Sequence, residues 1–510
     1  MGDLKDKTIK GLFWGGIDIF SSKGLSFIFN LLIARQLSPR DYGVIAILAV
    51  MMAICQCFVD SGFGAALVRK CKCSETDFST IFYFNIFAAL LFYIILYAVA
   101  PFIASFYEQP VFVDLTKIYS LVLIINALAI VQNSKLTIEV NFKVFAKISI
   151  ISAIISGSAA LFMAYKGFGI WSLVVQALTS ATVRSLLLWV FSRWTPKAIF
   201  SWNSLNEHFS FGSRLLGSSL INTIYNNIYT LVIGKMYAPE SLGAYNKGES
   251  LIKFPSETVT TIIGQVSYPI LSSIKDDRSR SIDAYRQLVR MASFIIFPMV
   301  IGMAAIADPF IRICLTDKWE MAIPVMQVLC FSLLWVPITN LDLTMLKAAG
   351  RSDYFLRITI ITKSISIIIL IATVSMGLII MCIGQVLATI IHLIIIAYYT
   401  KKAFNYGIVE KILDTGMNFC AALLMGGLVL LTVNFIPNSF GKLCAGIIIG
   451  LISYIVIAIL FKIREFNVFT DIIHNTCQRH AEKGVHRYRH EHRTAGGGCQ
   501  CQHSGNSQLP

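Results

Sequence analysis

The residues of this sequence that could do chemistry are charged side chains inside long apolar stretches. They comprise four cations and two carboxylates: Lys23, Arg184, Arg214, Lys363, Asp18 and Asp60. A charge at hydrocarbon depth is costly, so such residues usually line a cavity or an ion pathway. Four cations against two carboxylates predict a hydrated space with a positive potential, which suits an anionic group such as a diphosphate.

Lys23 is the strongest candidate among them. It lies twelve residues into the first apolar stretch, about 18 Å along a helix, which is too deep for easy snorkelling. Asp18 is about 140° away around the same helix, so mutual neutralisation is not expected. For the others an alternative stays open: Arg214 and Lys363 could snorkel to the surface, and Asp60 and Arg184 could form a structural ion pair.

A polar stripe follows on a later apolar stretch. Glu249, Lys253 and Glu257 are spaced i, i+4, i+8, and the order Glu before Lys favours pairing within the helix. The alternative is that Glu257 binds a coupling proton or cation. Asn222 and Asn226, on the preceding stretch, offer hydrogen bonds that suit sugar hydroxyls.

The composition indicates the element that must position these residues, a membrane-spanning helix. Apolar residues make up 56% of the chain and charged residues 14%, and the mean hydropathy is +0.70, which is typical of a multi-spanning membrane protein. The net charge of +15 lies mostly in short loops, as the positive-inside rule requires, so no nucleic-acid partner is expected.

No metal, cofactor or disulfide framework is expected. The twelve cysteines are scattered, several of them in apolar stretches where cysteine acts as a small hydrophobe. Histidines and cysteines are concentrated in the polar C-terminal tail, but no core can form there to fix a metal site.

Fourteen stretches are long enough to cross a membrane, and twelve or thirteen is the alternative count. With the N-terminus in the cytoplasm, twenty-two loop cations fall on the cytoplasmic side and ten on the other. That bias predicts a cytoplasmic N-terminus.

The chain repeats itself at long range. The segment 28–43, IFNLLIARQLSPRDYG, returns as 228–243, IYTLVIGKMYAPESLG, and each copy ends in a Pro-x-x-x-Gly turn. A second pair, FAKISIIS at 145–152 and FLRITIIT at 355–362, keeps the same order. Such a repeat predicts two copies of one six-helix unit, with the working site between them.

We therefore divide the chain into five regions. Residues 1–200 form an N-terminal six-helix lobe, and residues 201–209 a cytoplasmic linker with an interfacial helix. Residues 210–402 form a second six-helix lobe, and residues 403–465 two extra membrane helices. Residues 466–510 are a polar, disordered tail.

At these residues the chain resembles the Wzx-type polysaccharide flippases of the multidrug/oligosaccharidyl-lipid/polysaccharide exporter superfamily. The resemblance rests on stretches such as LLIARQLSPRDYGVIAI, GAYNKGESLIKFPSE, VSYPILSSIKDDRSR and LKAAGRSDYFLR, and it covers residues 8 to about 465. It implies an all-α membrane fold of about fourteen helices, in which two pseudo-symmetric six-helix bundles face each other in a V beside two C-terminal helices.

The resemblance also implies a function and a location. It implies alternating access that moves an undecaprenyl-diphosphate-linked oligosaccharide across the bacterial cytoplasmic membrane, with membrane lipids around it and polymerase and chain-length proteins as pathway partners. A multidrug exporter or a peptidoglycan-precursor flippase of the same superfamily is the alternative. A membrane enzyme on the same carrier is disfavoured, because no loop carries paired carboxylates with a histidine or metal motif.

Overall fold

The structure, a computed structural model, describes residues 23–70, 73–139, 142–274 and 277–466. Asp18 and nearly all of the tail region 466–510 lie outside these residues. In the described part every regular element is a helix. In chain order the helices are α1 (described over 23–36), α2 (Pro39–Asp60), α3 (Phe63–Lys70), α4 (Glu75–Phe106), α5 (Phe112–Tyr119), α6 (Leu121–Ala127), α7 (Ile130–Ile138), α8 (Phe142–Tyr165), α9 (Trp171–Ser192), α10 (Trp202–Asn226), α11 (Ile228–Met236), α12 (Pro239–Ser273), α13 (Arg278–Ala305), α14 (Ala307–Cys314), α15 (Ala322–Leu333), α16 (Val336–Ala348), α17 (Ser352–Thr373), α18 (Leu378–Phe404), α19 (Ile408–Asn434) and α20 (Ser439–Leu460).

Eleven helical segments among the described residues are long and apolar enough to cross a membrane. The predicted all-α membrane class is confirmed, while the count of fourteen stays a prediction. The first predicted span begins outside the described residues. The seventh and eighth predicted spans are helical, as α10 with α11 and as α12, but their polar residues leave them outside the eleven.

The repeated segments occupy equivalent places in the two halves of the chain. Pro39 opens α2 and Pro239 opens α12, and in each case the missing N–H of proline suits the first turn of a helix. The second pair begins three residues into α8 and three residues into α17. Structural equivalence of this kind supports the duplicated unit that the sequence predicts.

The predicted linker at 201–209 is not a separate element. Ser201 caps a helix that runs from Trp202 to Asn226 without a break at residue 209. Leu205 is buried against Phe63 and Phe78 of the first half, whereas Trp202 is exposed. This stretch therefore belongs to the same helix as the start of the seventh predicted span, and α10 packs along α2, α3 and α4.

The helix α19 is fastened to its neighbours by charged groups. Lys411 of α19 and Asp342 of α16 form a buried ion pair with an N–O distance of 2.7 Å, and Tyr285 of α13 donates a hydrogen bond to the same carboxylate. Asp414 accepts hydrogen bonds from Arg286 at 2.8 and 3.0 Å. These contacts lie in the unit of the chain that ends at Leu451, and a second unit begins at Ile452 within α20.

Candidate functional site

A polar cavity of about 770 Å³ lies between helices of the two halves among the described residues, and we call it the central cavity. Its walls come from α1, α2, α5, α8 and α9 of the first half and from α12 of the second. Its charged lining residues are Lys23, Arg184, Lys253 and Glu257. Three of these four were singled out as candidate charges, and the structure brings all three to one space.

The charges of the central cavity are partly paired. Lys23 Nζ lies 3.9 Å from the carboxylate of Glu257, and both side chains keep about half of their surface exposed, 43% and 57%. Lys253 pairs with Glu249 one helical turn away, at 2.9 Å. The stripe on α12 is thus paired within the helix at Glu249, as expected, while Glu257 reaches across to α1.

Arg184 belongs to two cavities. It also lines a space of about 720 Å³ inside the first half, which we call the first-half cavity, together with Asp60, Gln56, Asn126 and Arg69. No ion pair joins Asp60 to Arg184 in the described part of the chain, so the structural-pair alternative finds no support here. Both residues instead line a polar space.

The remaining candidates lie away from the central cavity. Lys363 donates a hydrogen bond to the side-chain oxygen of Asn222 at 2.6 Å, and its ammonium lies 4.6 Å from the ring centroid of Tyr225. Arg214 is exposed on α10. The structure therefore groups Lys363 with Asn222 and leaves Arg214 apart from the central cavity.

A third space, of about 400 Å³, adjoins the central cavity. We call it the asparagine cavity, because its lining includes Asn30, Asn226, Asn227 and Asn246. It shares Asn30, Tyr42 and Lys253 with the central cavity. The prediction that Asn226 contributes hydrogen-bonding capacity to a cavity agrees with this position.

Lys247 was missed as a site residue because it was counted among the loop cations, and Lys253 was assigned only to pairing within the polar stripe. Lys253 lines the central cavity, and Lys247 is 95% buried and lines the asparagine cavity. The repeat carried a signal for Lys247, because the offset of 200 aligns it with Ile47, which is fully buried in α2. A position equivalent to a buried helical residue is not a loop position.

The two Pro-x-x-x-Gly turns meet directly, and we call Pro39, Gly43, Pro239 and Gly243 the repeat contact. A Cβ atom on Gly43 would lie 1.9 Å from the carbonyl oxygen of Pro239, and one on Gly243 would lie 1.8 Å from that of Pro39. The matching distances describe a local two-fold relation between the starts of α2 and α12. At such distances no side chain fits, so glycine is required at both positions.

Further contacts between the two halves surround the repeat contact. Trp319 donates its indole N–H to the carbonyl oxygen of Ala34 at 3.0 Å and is fully buried. Lys247 donates to the carbonyl oxygen of Asn30 at 3.0 Å. Arg40 lies 3.9 Å from the carboxylate of Glu240.

A cluster of ion pairs holds the turn that carries Trp319. Arg312 contacts Asp317, Asp308 and Glu320 at 2.8, 2.8 and 2.9 Å. These three carboxylates, Asp317 foremost, raise the pKa of the Arg312 guanidinium above its ordinary value. The turn is thereby fixed close to the repeat contact.

Two solved structures of membrane transporters have a fold similar to that of this chain. The fold matches the lipid II flippase MurJ in an inward closed conformation with a TM-score of 0.72 and 17% identity, over 90% of this chain and 99% of that one. It also matches an inward-facing multidrug resistance MATE transporter of the MOP superfamily with a TM-score of 0.57 and 16% identity, over 76% of this chain and 98% of that one. The fold is that of the MOP-superfamily transporters, as the resemblance implied.

The chain belongs to the polysaccharide biosynthesis protein family, whose model matches residues 32–324, more than half of the sequence. It is 25% identical to the teichuronic acid biosynthesis protein TuaB of Bacillus subtilis, over 69% of this chain and 74% of that protein. It is 26% identical to the succinoglycan biosynthesis transport protein ExoT of Rhizobium meliloti, over 89% and 93%. The lipopolysaccharide biosynthesis protein WzxC of Escherichia coli is 24% identical, over 69% and 72%. The protein is thus a multi-pass bacterial membrane protein, and the family resemblance seen in the sequence is confirmed.

Proposed function

We propose that this protein is a flippase for an undecaprenyl-diphosphate-linked oligosaccharide repeat unit, used to build a surface polysaccharide such as O-antigen, capsule or exopolysaccharide. The observation that carries the proposal is the central cavity, whose cations Lys23, Arg184 and Lys253 come from both halves of the chain. A hydrated, positive space between two similar units suits a diphosphate headgroup that must cross the membrane midplane. The relatives named for teichuronic acid, succinoglycan and lipopolysaccharide biosynthesis support the substrate class.

The proposed mechanism is alternating access, without a chemical step and without a cofactor. With the N-terminus in the cytoplasm of a bacterial cell, the repeat contact lies on the outer side of the inner membrane. The central cavity is then closed toward the outside by the repeat contact and by Trp319. Separation of these contacts, with closure at the cytoplasmic side, would release the substrate into the outer leaflet.

Two further roles belong to this proposal. Glu257, which pairs with Lys23, is the candidate for ion coupling, because protonation or cation binding there would free the lysine for the substrate. Polymerase and chain-length proteins of the same pathway are the expected partners that use the flipped product.

Reconstitution tests the proposal. The purified protein in proteoliposomes should expose a fluorescent undecaprenyl-diphosphate-linked oligosaccharide to a membrane-impermeant quencher faster than protein-free vesicles do. The alternatives of the same fold, a multidrug exporter or a peptidoglycan-precursor flippase, predict instead efflux of a cationic dye or flipping of lipid II. Activity toward dye alone would refute the proposal.

A further inference from the structure

We infer that Lys247 is a second anion-binding group of the transport path, which binds an oxyanion of the substrate after the repeat contact has opened. This inference rests on the proposed function and extends it, because it adds a binding site outside the central cavity. It comes from the surroundings of one buried lysine.

Lys247 has an unusual environment for a cation. Its side chain is 95% buried, and its ammonium donates one hydrogen bond, to the carbonyl oxygen of Asn30 at 3.0 Å. The rings of Tyr42 and Trp319 lie 4.8 and 6.0 Å away. Among the described residues no carboxylate lies within 4.0 Å of it, and no second acceptor bonds to its remaining N–H groups.

The stability of the fold does not explain why a cation is buried at this position. Burial removes its hydration, and a single carbonyl oxygen and two aromatic faces replace only part of what is lost. A methionine would fill the same place without that cost. A buried cation with unused donors inside a transporter is therefore better explained by an anion that it meets in another state.

The position of Lys247 fits such a role. It lines the asparagine cavity, which shares Asn30, Tyr42 and Lys253 with the central cavity. Lys253 stands between the two spaces, so the cations form a series that leads from Lys23 toward the repeat contact. A headgroup that moves from the central cavity along α12 toward the repeat contact passes Lys247 after Lys253.

Two of the three present neighbours of the Lys247 ammonium, Asn30 and Tyr42, belong to the opposite half of the chain, whereas Trp319 belongs to the same half. Asn30 lies on α1 and Tyr42 on α2, whereas Lys247 lies on α12. When the two halves separate at the repeat contact, these partners move away and the ammonium is exposed to the cavity. Its three N–H donors can then bind an oxyanion, and the nearby Asn246 and Asn227 amides can bind hydroxyl groups.

Two parts of the substrate carry the required oxyanion, the diphosphate and the carboxylate of an acidic sugar. Two probes distinguish them: an undecaprenyl-diphosphate-linked neutral trisaccharide, and the same lipid with one sugar replaced by glucuronate. Flipping of both probes is measured in proteoliposomes for the wild type, Lys247→Met and Lys247→Arg. We expect Lys247→Met to be at least about tenfold slower, the effect of one lost charge-assisted hydrogen bond, and Lys247→Arg to be faster than Lys247→Met.

The chain offers a matched control in Lys235. Its ammonium donates to the carbonyl oxygen of Phe106 at 2.7 Å and lies over the ring of Phe106, which again joins the two halves. Lys235 is exposed and lines neither of the two cavities. Lys235→Met therefore removes a similar contact between the halves, and it should flip both probes at close to the wild-type rate.

A second measurement separates binding from a purely structural role. Arg40→Cys with Glu240→Cys reports closure of the repeat contact through the yield of the disulfide, with each single cysteine variant as background. Lys247→Met should leave this yield unchanged, because its hydrogen bond is offset by the cost of burying the charge.

The outcomes decide between the possibilities. Slower flipping of both probes assigns the diphosphate, and slower flipping of the glucuronate probe alone assigns the sugar carboxylate. Wild-type rates in Lys247→Met, an equal loss in Lys235→Met, or a lower disulfide yield in Lys247→Met would overturn the inference while leaving the proposed function in place. A wild type that flips neither probe would refute the proposed function itself.

Discussion

At the scale of single residues, the pair of Lys23 and Glu257 is the most informative feature of the central cavity. The distance of 3.9 Å and the partial exposure of both side chains describe a loose pair, and exposed ion pairs contribute only about 0–1 kcal/mol to stability. The two charges are therefore retained for something other than holding α1 against α12. Binding of an anion by Lys23, regulated by Glu257, is consistent with this.

Exchange of the two charges tests that interpretation. Lys23→Glu should abolish flipping while the melting temperature changes little, because the loose pair stabilises the fold weakly. The double variant Lys23→Glu with Glu257→Lys restores the pair in reverse. We expect it to remain inactive, as measured by flipping in proteoliposomes and by surface polysaccharide in cells.

The result that contradicts this prediction is rescue by the double variant. Rescue would mean that the attraction between α1 and α12 matters rather than the position of the cation. Lys363→Ala serves as a comparison, because Lys363 contacts Asn222 outside the central cavity and its loss should reduce flipping less.

The sequence predicted part of this site. Depth in an apolar stretch was enough to single out Lys23 and Arg184, which line the central cavity, and Asp60, which lines the first-half cavity, because the cost of burying a charge does not depend on the details of packing. Depth alone does not indicate which charges share a cavity, because sharing a cavity depends on how the helices are placed in three dimensions. Lys363 and Arg214 satisfied the same criterion and lie elsewhere.

At the scale of helices, two contacts hold neighbouring helices together, one made by glycine and one by a buried ion pair. The repeat contact brings the starts of α2 and α12 together without side chains between them. The pair of Asp342 and Lys411 holds α19 against α16. Each contact predicts a different consequence of substitution.

Gly43→Ala should prevent closure of the repeat contact. The added methyl group would overlap the carbonyl oxygen of Pro239, and overpacking of this kind costs about 1–3 kcal/mol, so the ratio of closed to open repeat contact should fall by about fivefold or more. The disulfide yield of Arg40→Cys with Glu240→Cys measures it. Gly264→Ala on α12 is the control, because no atom lies within 4 Å of its added carbon; equal yields in the two variants would count against the prediction.

Removal of one partner of the Asp342 and Lys411 pair should destabilise the protein. Exposure of the two side chains is 0% and 3%, so Asp342→Asn or Lys411→Met leaves a buried charge unpaired, at a cost of about 3–5 kcal/mol. Unfolding in detergent by heat or by sodium dodecyl sulfate gives the measurement. The double variant Asp342→Leu with Lys411→Met should lose less than either single variant.

An exposed pair provides the matching control. Arg40 and Glu240 are 58% and 45% exposed, so Arg40→Gln should change the free energy of unfolding by no more than about 1 kcal/mol. A loss of unfolding free energy as large as that of Lys411→Met would show that solvent exposure does not determine how much these ion pairs contribute to stability.

At the scale of the whole molecule, the fold class and the duplication were accessible from sequence, while the seventh and eighth spans were the difficult ones. Apolar composition and a repeat at an offset of 200 residues do not depend on tertiary contacts. The helix α12 carries polar and charged cavity residues such as Lys247, Lys253 and Glu257, and α10 ends at Asn226 of the asparagine cavity; these two helices are outside the eleven apolar spans. The polar character that brings α12 into contact with the cavities is thus also what makes it unlike an ordinary membrane span.

The predicted orientation can be tested with reporter fusions. The loop between α18 and α19 is predicted to be cytoplasmic and the loop between α19 and α20 to be outside. A green fluorescent protein fused after Asn405 should fluoresce, and alkaline phosphatase fused after Pro437 should be active. The opposite pattern would reverse the orientation and would place the repeat contact on the cytoplasmic side.

The reciprocal meeting of Gly43 and Gly243 has a consequence for how such a chain can diverge. Two identical half-length subunits joined by this same contact would form an isologous dimer, in which every substitution is made twice. A lysine at the place of Lys247 would then occur in both subunits and bury two like charges close to one symmetry axis. Because one polypeptide contains both copies, it can keep isoleucine at position 47 and lysine at position 247. The backbone of the two copies thus keeps the two-fold relation of such a dimer, whereas their charges no longer follow it.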